Sequence, residues 1–98
     1  MKVKVQKIIP FSIYSYEVKY IPNLHIDENT DGYAHHRKEE IGIDPVLSIN
    51  QKNQTLFHEM GEIIRAHYSV EISHTDLDRM ALGYCEFLKN LGIELDWV

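Results

Sequence analysis

The spacing of apolar residues changes once along the chain, near Asp44-Pro45, and this change constrains the fold more than any other sequence feature. Before it, aromatic and β-branched residues form short runs that are typical of strands. After it, apolar residues recur at intervals of three and four, which is typical of amphipathic helices. We therefore expect an α+β domain in which an N-terminal antiparallel β-sheet of three to four strands is followed by two α-helices.

Four segments carry the strand pattern, and turn residues separate them. The connection between the last two, residues 37–39, is short enough for a hairpin. Pro10 is expected at a turn, a bulge or a sheet edge, because proline cannot donate a ladder hydrogen bond. The polar stretch His25–Gly32 ends in Asp-Gly and predicts a turn. The predicted strands are Val3–Ile9, Phe11–Tyr20, Tyr33–His36 and Glu40–Ile43.

Two helices are predicted in the second half of the chain. Ser48 or Asn50 is expected to cap the first helix, and Ser73 or Thr75 the second. Gly92 is expected to end the second helix, since glycine readily adopts a left-handed conformation, and a short tail follows. The apolar stripe of the first helix consists of Leu56, Phe57, Met60, Ile63, Ile64 and His67. The stripe of the second consists of Leu77, Met80, Ala81, Tyr84, Cys85 and Leu88.

Length and charge restrict the possible functions. A chain of 98 residues is long enough for one domain, residues 1–98, and not for two. The formal net charge is −5 and the basic residues do not cluster, which argues against nucleic acid or an anionic membrane surface as partner. No apolar run is long enough to span a bilayer. Because Cys85 is the single cysteine and cannot form an internal disulfide, we expect a cytoplasmic protein.

The first predicted helix carries the side chains that favour a metal site. His58 and Glu62 are four residues apart and therefore lie on the same helical face, where they could hold one ion. Zinc accepts both imidazole nitrogen and carboxylate oxygen, and a catalytic zinc site usually has three protein ligands and one open position. His74, at the start of the second helix, is the first candidate for the third ligand. Asp78, one turn further on, is the second candidate.

An alternative interpretation needs no metal. His58, Glu59 and Glu62 lie opposite the apolar stripe, so the same pattern could be the exposed polar face of a surface helix. The other candidate residues have simpler interpretations. His67 falls on the apolar stripe and is expected at the core or its boundary, and Cys85 is expected to pack in the core.

The helix motif resembles that of a known class of enzymes. Residues Thr55–Glu59, with the sequence Thr-Leu-Phe-His-Glu, are similar to the active-site helix of very small gluzincin-like metallopeptidase domains, which are common in phages and prophages. In such domains this helix follows a sheet with a tight acidic-Gly turn and an Ile-x-Ile-Asp strand. The matching residues here are Asp31-Gly32 and Ile41–Asp44. The resemblance covers roughly residues 11 to 92.

The resemblance implies a zinc-dependent metallopeptidase in which Glu59 activates a metal-bound water. The chain departs from the family pattern, because Glu62 stands where such enzymes carry the second histidine of His-Glu-x-x-His. A later acid is the third ligand in gluzincins, and here His74 lies near that place. The exchange preserves two imidazoles and one carboxylate, so the charge of the ligand set is unchanged.

Two functions follow from this pattern. The first is peptide or protein hydrolysis, with a sheet edge, either Glu40–Ile43 or Tyr33–His36, pairing with an extended substrate. The second is a catalytically inactive zincin-fold protein that binds a protein partner, such as an accessory phage protein. The motif does not identify the substrate or the oligomeric state.

Overall fold

The computed structural model describes residues 1–98 and confirms the α+β fold class. The strands are β1 (Lys2–Lys4), β2 (Ile8–Phe11), β3 (Tyr14–Tyr20), β4 (Gly32–His35), β5 (Glu40–Ile43) and β6 (Glu94–Asp96). The helices are α1 (Leu24–Glu28), α2 (Ile49–Tyr68) and α3 (His74–Asn90). None of these helices combines the length and apolar character that crossing a membrane requires.

The main sheet contains four strands in the order β2-β3-β5-β4. The predicted hairpin is confirmed, because β4 and β5 pair antiparallel across the short turn. The expectation of a wholly antiparallel sheet is wrong, since β3 and β5 pair in parallel, with Val18 opposite Ile41. Parallel neighbours need a long connection, and here α1 and β4 supply it. Alternation of side chains is the same for either strand direction, so the sequence pattern carries no information about it.

The two ends of the chain form a second, smaller sheet. The predicted strand over residues 3–9 is divided, and its first part, β1, pairs in parallel with β6 from the predicted tail. The amino group of Met1 also donates a hydrogen bond to the carbonyl oxygen of Gly92 at 2.7 Å. Pro10 lies within β2 at the edge of the main sheet, which confirms the edge placement.

The core lies between the main sheet and one side of α2. Four of its six buried residues come from the central strands β3 and β5, and Leu56 and Ile63 come from α2. The α2 helix begins at Ser48, which forms a capping box with Gln51, so Asn50 is not the cap. Ser73 caps α3 by accepting a hydrogen bond from the backbone N–H of Asp76. These caps fix where the two long helices begin.

A short helix replaces the turn that was predicted for residues 25–32. The Asp44 side chain is buried and accepts hydrogen bonds from the backbone N–H groups of His25 and Val46, both at 3.0 Å. The Asp44 N–H donates to the carbonyl oxygen of Asp31, also at 3.0 Å. The hydrogen bond from the His25 backbone has the largest effect and the one from Val46 the next largest, and together they hold the pKa of the Asp44 carboxyl below its usual range. Asp44 therefore joins the end of β5 to α1 and to the segment that precedes β4.

We expect Asp44→Asn to destabilise the fold, because each carboxylate oxygen accepts one of these hydrogen bonds and the amide keeps only one oxygen. An aspartate whose pKa is lowered by folding stabilises the protein above its unfolded-state pKa. That contribution is lost as the pH falls through the folded-state value. Urea unfolding at neutral and at strongly acidic pH should show a difference between wild type and variant that shrinks in acid. Asp27→Asn, at an exposed position of α1, is the control, and an equal effect of both changes would contradict the prediction.

Candidate metal centre

Two elements, β4 and α3, enclose the polar side of α2. A glycine lies at each of the two points where one of these elements comes close to α2. A larger residue at either point would push the two elements apart. A Cβ at Gly32 of β4 would lie 2.5 Å from Cγ2 of Thr55 on α2, and one at Gly61 would lie 2.7 Å from Cδ2 of Leu77 on α3. Because neither glycine has a Cβ, β4 and α3 both pack directly against α2.

This packing buries side chains that the alternative interpretation placed in solvent. His58 is 5% exposed and Glu59 is 7% exposed. The interpretation of these residues as a solvated helix face is therefore wrong. The sequence pattern does not predict this burial. Because α2 contacts the sheet on one side and α3 on another, its buried residues include both apolar and polar side chains.

The structure brings His58, Glu62 and His74 together. One ligand atom from each lies within 4.8 Å of the other two, so the three side chains could hold a metal ion. His58 and Glu62 are one turn apart on α2, and His74 is the first residue of α3. The rings of His58 and His74 have centroids 4.4 Å apart and are inclined by 74°. His74 itself is exposed, so solvent reaches the group from its side.

Two of the buried ligand atoms lack hydrogen-bond partners. They are Nδ1 of His58 and Oε1 of Glu62. Oδ1 of Asp78 lies 2.8 Å from Nδ1 of His58, but this contact does not have hydrogen-bond geometry. An unpaired polar atom in a protein interior is costly. Oε1 of Glu62 already lies 3.0 Å from a guanidinium nitrogen of Arg65, so Nδ1 of His58 is the atom that remains unpaired. The three converging side chains supply two imidazoles and one carboxylate, a donor set that fits a metal ion.

Arg65 forms an ion pair with the Glu62 carboxylate. One guanidinium nitrogen lies 3.0 Å from Oε1 of Glu62 and donates to its Oε2 at 3.2 Å. The other terminal nitrogen donates to the carbonyl oxygen of Ile72 at 3.0 Å, in the link that leads to His74. Arg65 thus connects one candidate ligand to the segment that carries another. Arg65 was not predicted from the sequence, where its spacing of three from Glu62 is the only signal of this role.

We expect Arg65→Met to weaken metal binding about 10- to 100-fold, as is usual when a residue that orients a ligand is removed. The reason is that Glu62 and the link to His74 lose their shared anchor. Titration of the metal-free protein with zinc measures the change. Arg79→Met is the matched control, because Arg79 pairs only with Asp76 on the exposed side of α3. Tighter binding in the Arg65 variant would show instead that the guanidinium competes with the ion.

Glu59 lies beside the three candidate ligands and faces the sheet. Its Oε2 would be 3.6 Å from a Cβ at Gly32, so the carboxylate is directed toward β4. Burial, followed by the charges of Glu62 and Asp78, raises the pKa of Glu59 to about 7. A bound cation would oppose this shift by favouring the charged form.

A polar cleft of about 640 Å³ opens over these residues. Its walls are α2, the beginning of α3, β4 and the segment between α1 and β4. At the rim, Nδ1 of His25 lies 3.3 Å from Oδ1 of Asp31. The free edge of the sheet at this cleft belongs to β4. The alternative that Glu40–Ile43 forms the edge is wrong, because β5 lies between β3 and β4.

The remaining candidate residues lie outside the cleft. His67 is a boundary histidine, as predicted, and its Nε2 is 2.6 Å from the hydroxyl of Tyr16. Its ring stacks on Tyr14 with centroids 4.7 Å apart. Cys85 is half-buried, and burial raises the pKa of its thiol, which disfavours the nucleophilic thiolate.

The chain matches no protein-family model, no curated protein and no solved structure. The relationship to gluzincin-like domains therefore rests on the helix motif and the order of the elements, and it stays a prediction. The metal centre rests on different evidence, namely the positions of His58, Glu62 and His74.

Proposed function

We propose that this protein is a zinc-dependent hydrolase of the metallopeptidase type, with zinc held by His58, Glu62 and His74 and with Glu59 as general base. The observation that carries the proposal is the convergence of His58, Glu62 and His74, whose ligand atoms lie within 4.8 Å of one another, together with a buried Nδ1 of His58 that has no hydrogen-bond partner. A buried atom without a partner is rare in folded proteins, and here it belongs to one of the three converging side chains.

The donor set favours zinc among the common metal ions. Two imidazole nitrogens and one carboxylate oxygen form one of the known ligand sets of catalytic zinc sites. Calcium and magnesium prefer oxygen ligands alone. When bound, the zinc ion would act as a Lewis acid and lower the pKa of a water molecule to about 7. Three protein ligands leave room for that water, and exposed His74 keeps the group open to the cleft.

Glu59 has the position and the environment of a general base. It is buried next to the ligands, and it lines the same cleft. Its carboxylate is suited to take a proton from the attacking water and to deliver it to the amine that leaves when a peptide bond breaks. In the metal-free protein, burial and then the charges of Glu62 and Asp78 raise the pKa of Glu59, which favours its acceptance of a proton.

The free edge of β4 favours an extended peptide as substrate. An edge strand presents backbone N–H and C=O groups that can pair with another extended chain. Tyr33 and Ala34 of this strand line the cleft opposite the ligands. A peptide added to β4 would therefore run past the candidate metal centre with its backbone held in register.

Metal analysis and a peptidase assay test the proposal together. Protein purified without added metal should contain about one zinc ion per chain. It should cleave an unstructured protein substrate, lose this activity with a chelator and regain it with zinc. Bound zinc without cleavage would favour the inactive binding protein. Absence of zinc even after incubation with the ion would overturn the proposal.

A further inference from the structure

A second feature lies on a different side of the two long helices. Phe57, Gly61 and Ile64 of α2 form one wall of an apolar groove, and Met80 and Tyr84 of α3 form part of the other. None of the residues that line this groove also lines the polar cleft. The groove therefore cannot be explained by the candidate metal centre.

The apolar surface continues along α3 beyond the groove. Met80, Tyr84, Phe87 and Leu91 follow each other at intervals of four, three and four residues and so form one stripe. All four are exposed large hydrophobic residues, and Leu91 is 73% exposed. The charged residues within this segment, Glu86 and Lys89, lie on other sides of the helix by the same periodicity. The stripe therefore carries no charge that a partner would have to neutralise.

The exposed apolar area is close to what a specific interface needs. Ile64 and Val70 adjoin the stripe at the groove and are exposed to a similar degree as Met80. A fully exposed large side chain presents about 200 Å². With their exposed fractions, these two residues and the four stripe residues together expose an apolar area on the order of 600 Å². A standard interface buries about 800 Å² on each partner. An apolar area of this size is at the upper end of what a typical monomer exposes in one patch, and such patches are often functional.

The spacing of the stripe favours a second copy of the chain as the partner. The intervals between the stripe residues, four, three and four, are the same when they are counted from either end of the stripe. When two copies of α3 pack antiparallel about a two-fold axis, Met80 faces Leu91 of the other copy and Tyr84 faces its Phe87. Every stripe residue then meets another stripe residue, as an isologous interface requires. Gly83 and Asn90 flank this contact, and both are small or uncharged.

We propose that the chain forms a two-fold symmetric homodimer through the α3 stripe and the adjoining groove. The metal clefts of the two copies are outside the interface, so this inference does not depend on the proposed function. The apolar side chains supply the affinity, and the uncharged flank at Gly83 lets the two helices approach closely.

Sedimentation of the full chain over a range of micromolar concentrations tests the proposal. Wild type should be a dimer. Phe87→Glu should raise the dimer dissociation constant at least about 30-fold, because it places a charge at the centre of the interface. Leu82→Glu is the matched control, since Leu82 is an exposed leucine on the opposite side of α3 and should leave the dimer intact. A monomeric wild type, or equal effects of both variants, would overturn the proposal.

Cysteine cross-linking gives a readout that survives if Phe87→Glu fails to fold. In a Cys85→Ala background, Met80→Cys and Leu91→Cys proteins are prepared separately and then mixed under oxidation. Antiparallel pairing predicts a disulfide-linked product in the mixture and little in either protein alone. Cross-linking of each protein with itself would indicate a parallel arrangement and contradict the proposed interface. A failure to cross-link in any combination would contradict it as well.

Discussion

Replacement of His74 by alanine is expected to reduce the affinity for zinc at least about 100-fold. Structural zinc sites bind with about 10–16 kcal/mol, so one ligand of four accounts for about 3 kcal/mol, which corresponds to roughly 100-fold. His74 is the informative candidate ligand because it is exposed and its removal leaves no buried cavity. It is also the ligand that the His-Glu-x-x-Glu motif does not contain. Calorimetric titration of the metal-free protein measures the loss.

His25→Ala is the matched control for this experiment. His25 is an exposed histidine that lines the same cleft but does not belong to the converging group. Its replacement should leave zinc affinity within a few-fold of wild type. If the two variants bind zinc equally well, His74 is not a ligand. Asp78 would then be the remaining candidate, since its Oδ1 lies 2.8 Å from Nδ1 of His58.

Replacement of Glu59 by glutamine is expected to lower the rate of peptide hydrolysis about 10²- to 10⁴-fold, the usual contribution of a general base. The amide has the shape of the carboxylate but cannot accept a proton. Zinc affinity should not fall, because Glu59 is outside the converging ligand group. The measurements are kcat/KM for a peptide substrate and the metal content of the same preparation.

Glu86→Gln controls for the change of charge, since Glu86 is an exposed glutamate on α3 away from the cleft. It should retain wild-type activity and metal content. A Glu59→Gln protein that cleaves peptide at the wild-type rate would exclude Glu59 as the base. If the variant loses zinc as well as activity, Glu59 supports the ligands and its role as a base is not supported.

Local signals in the sequence predicted the elements of this fold better than their arrangement. The cap at Ser48, one of two predicted candidates, and the hairpin between β4 and β5 depend on residues close together in the chain, and both are confirmed. The parallel pairing of β3 with β5 depends on how the intervening chain folds back, and strand periodicity does not encode it. The α1 helix was missed because its anchor, Asp44, lies more than a dozen residues away.

The candidate site was predictable in its residues but not in its environment. Helical spacing alone places His58 and Glu62 on one face, and the short link makes His74 their neighbour. Burial of His58 and Glu59 depends on glycines in other elements, Gly32 and Gly61, whose role is visible only once β4 and α3 are in place. Arg65 escaped prediction because a charged residue one turn beyond a carboxylate is common on any helix surface.

The pairing of β1 with β6 has a consequence for how the molecule assembles. Its partners, such as Lys2 and Glu94, stand at opposite ends of the chain, so this contact has nearly the greatest sequence separation possible here. Contacts of this kind slow folding, because loop-closure entropy is lost before they form. The two strands become neighbours only after α3 has docked and turned the chain back. We therefore expect this small sheet to be the last part to form and the first to open in native-state hydrogen exchange.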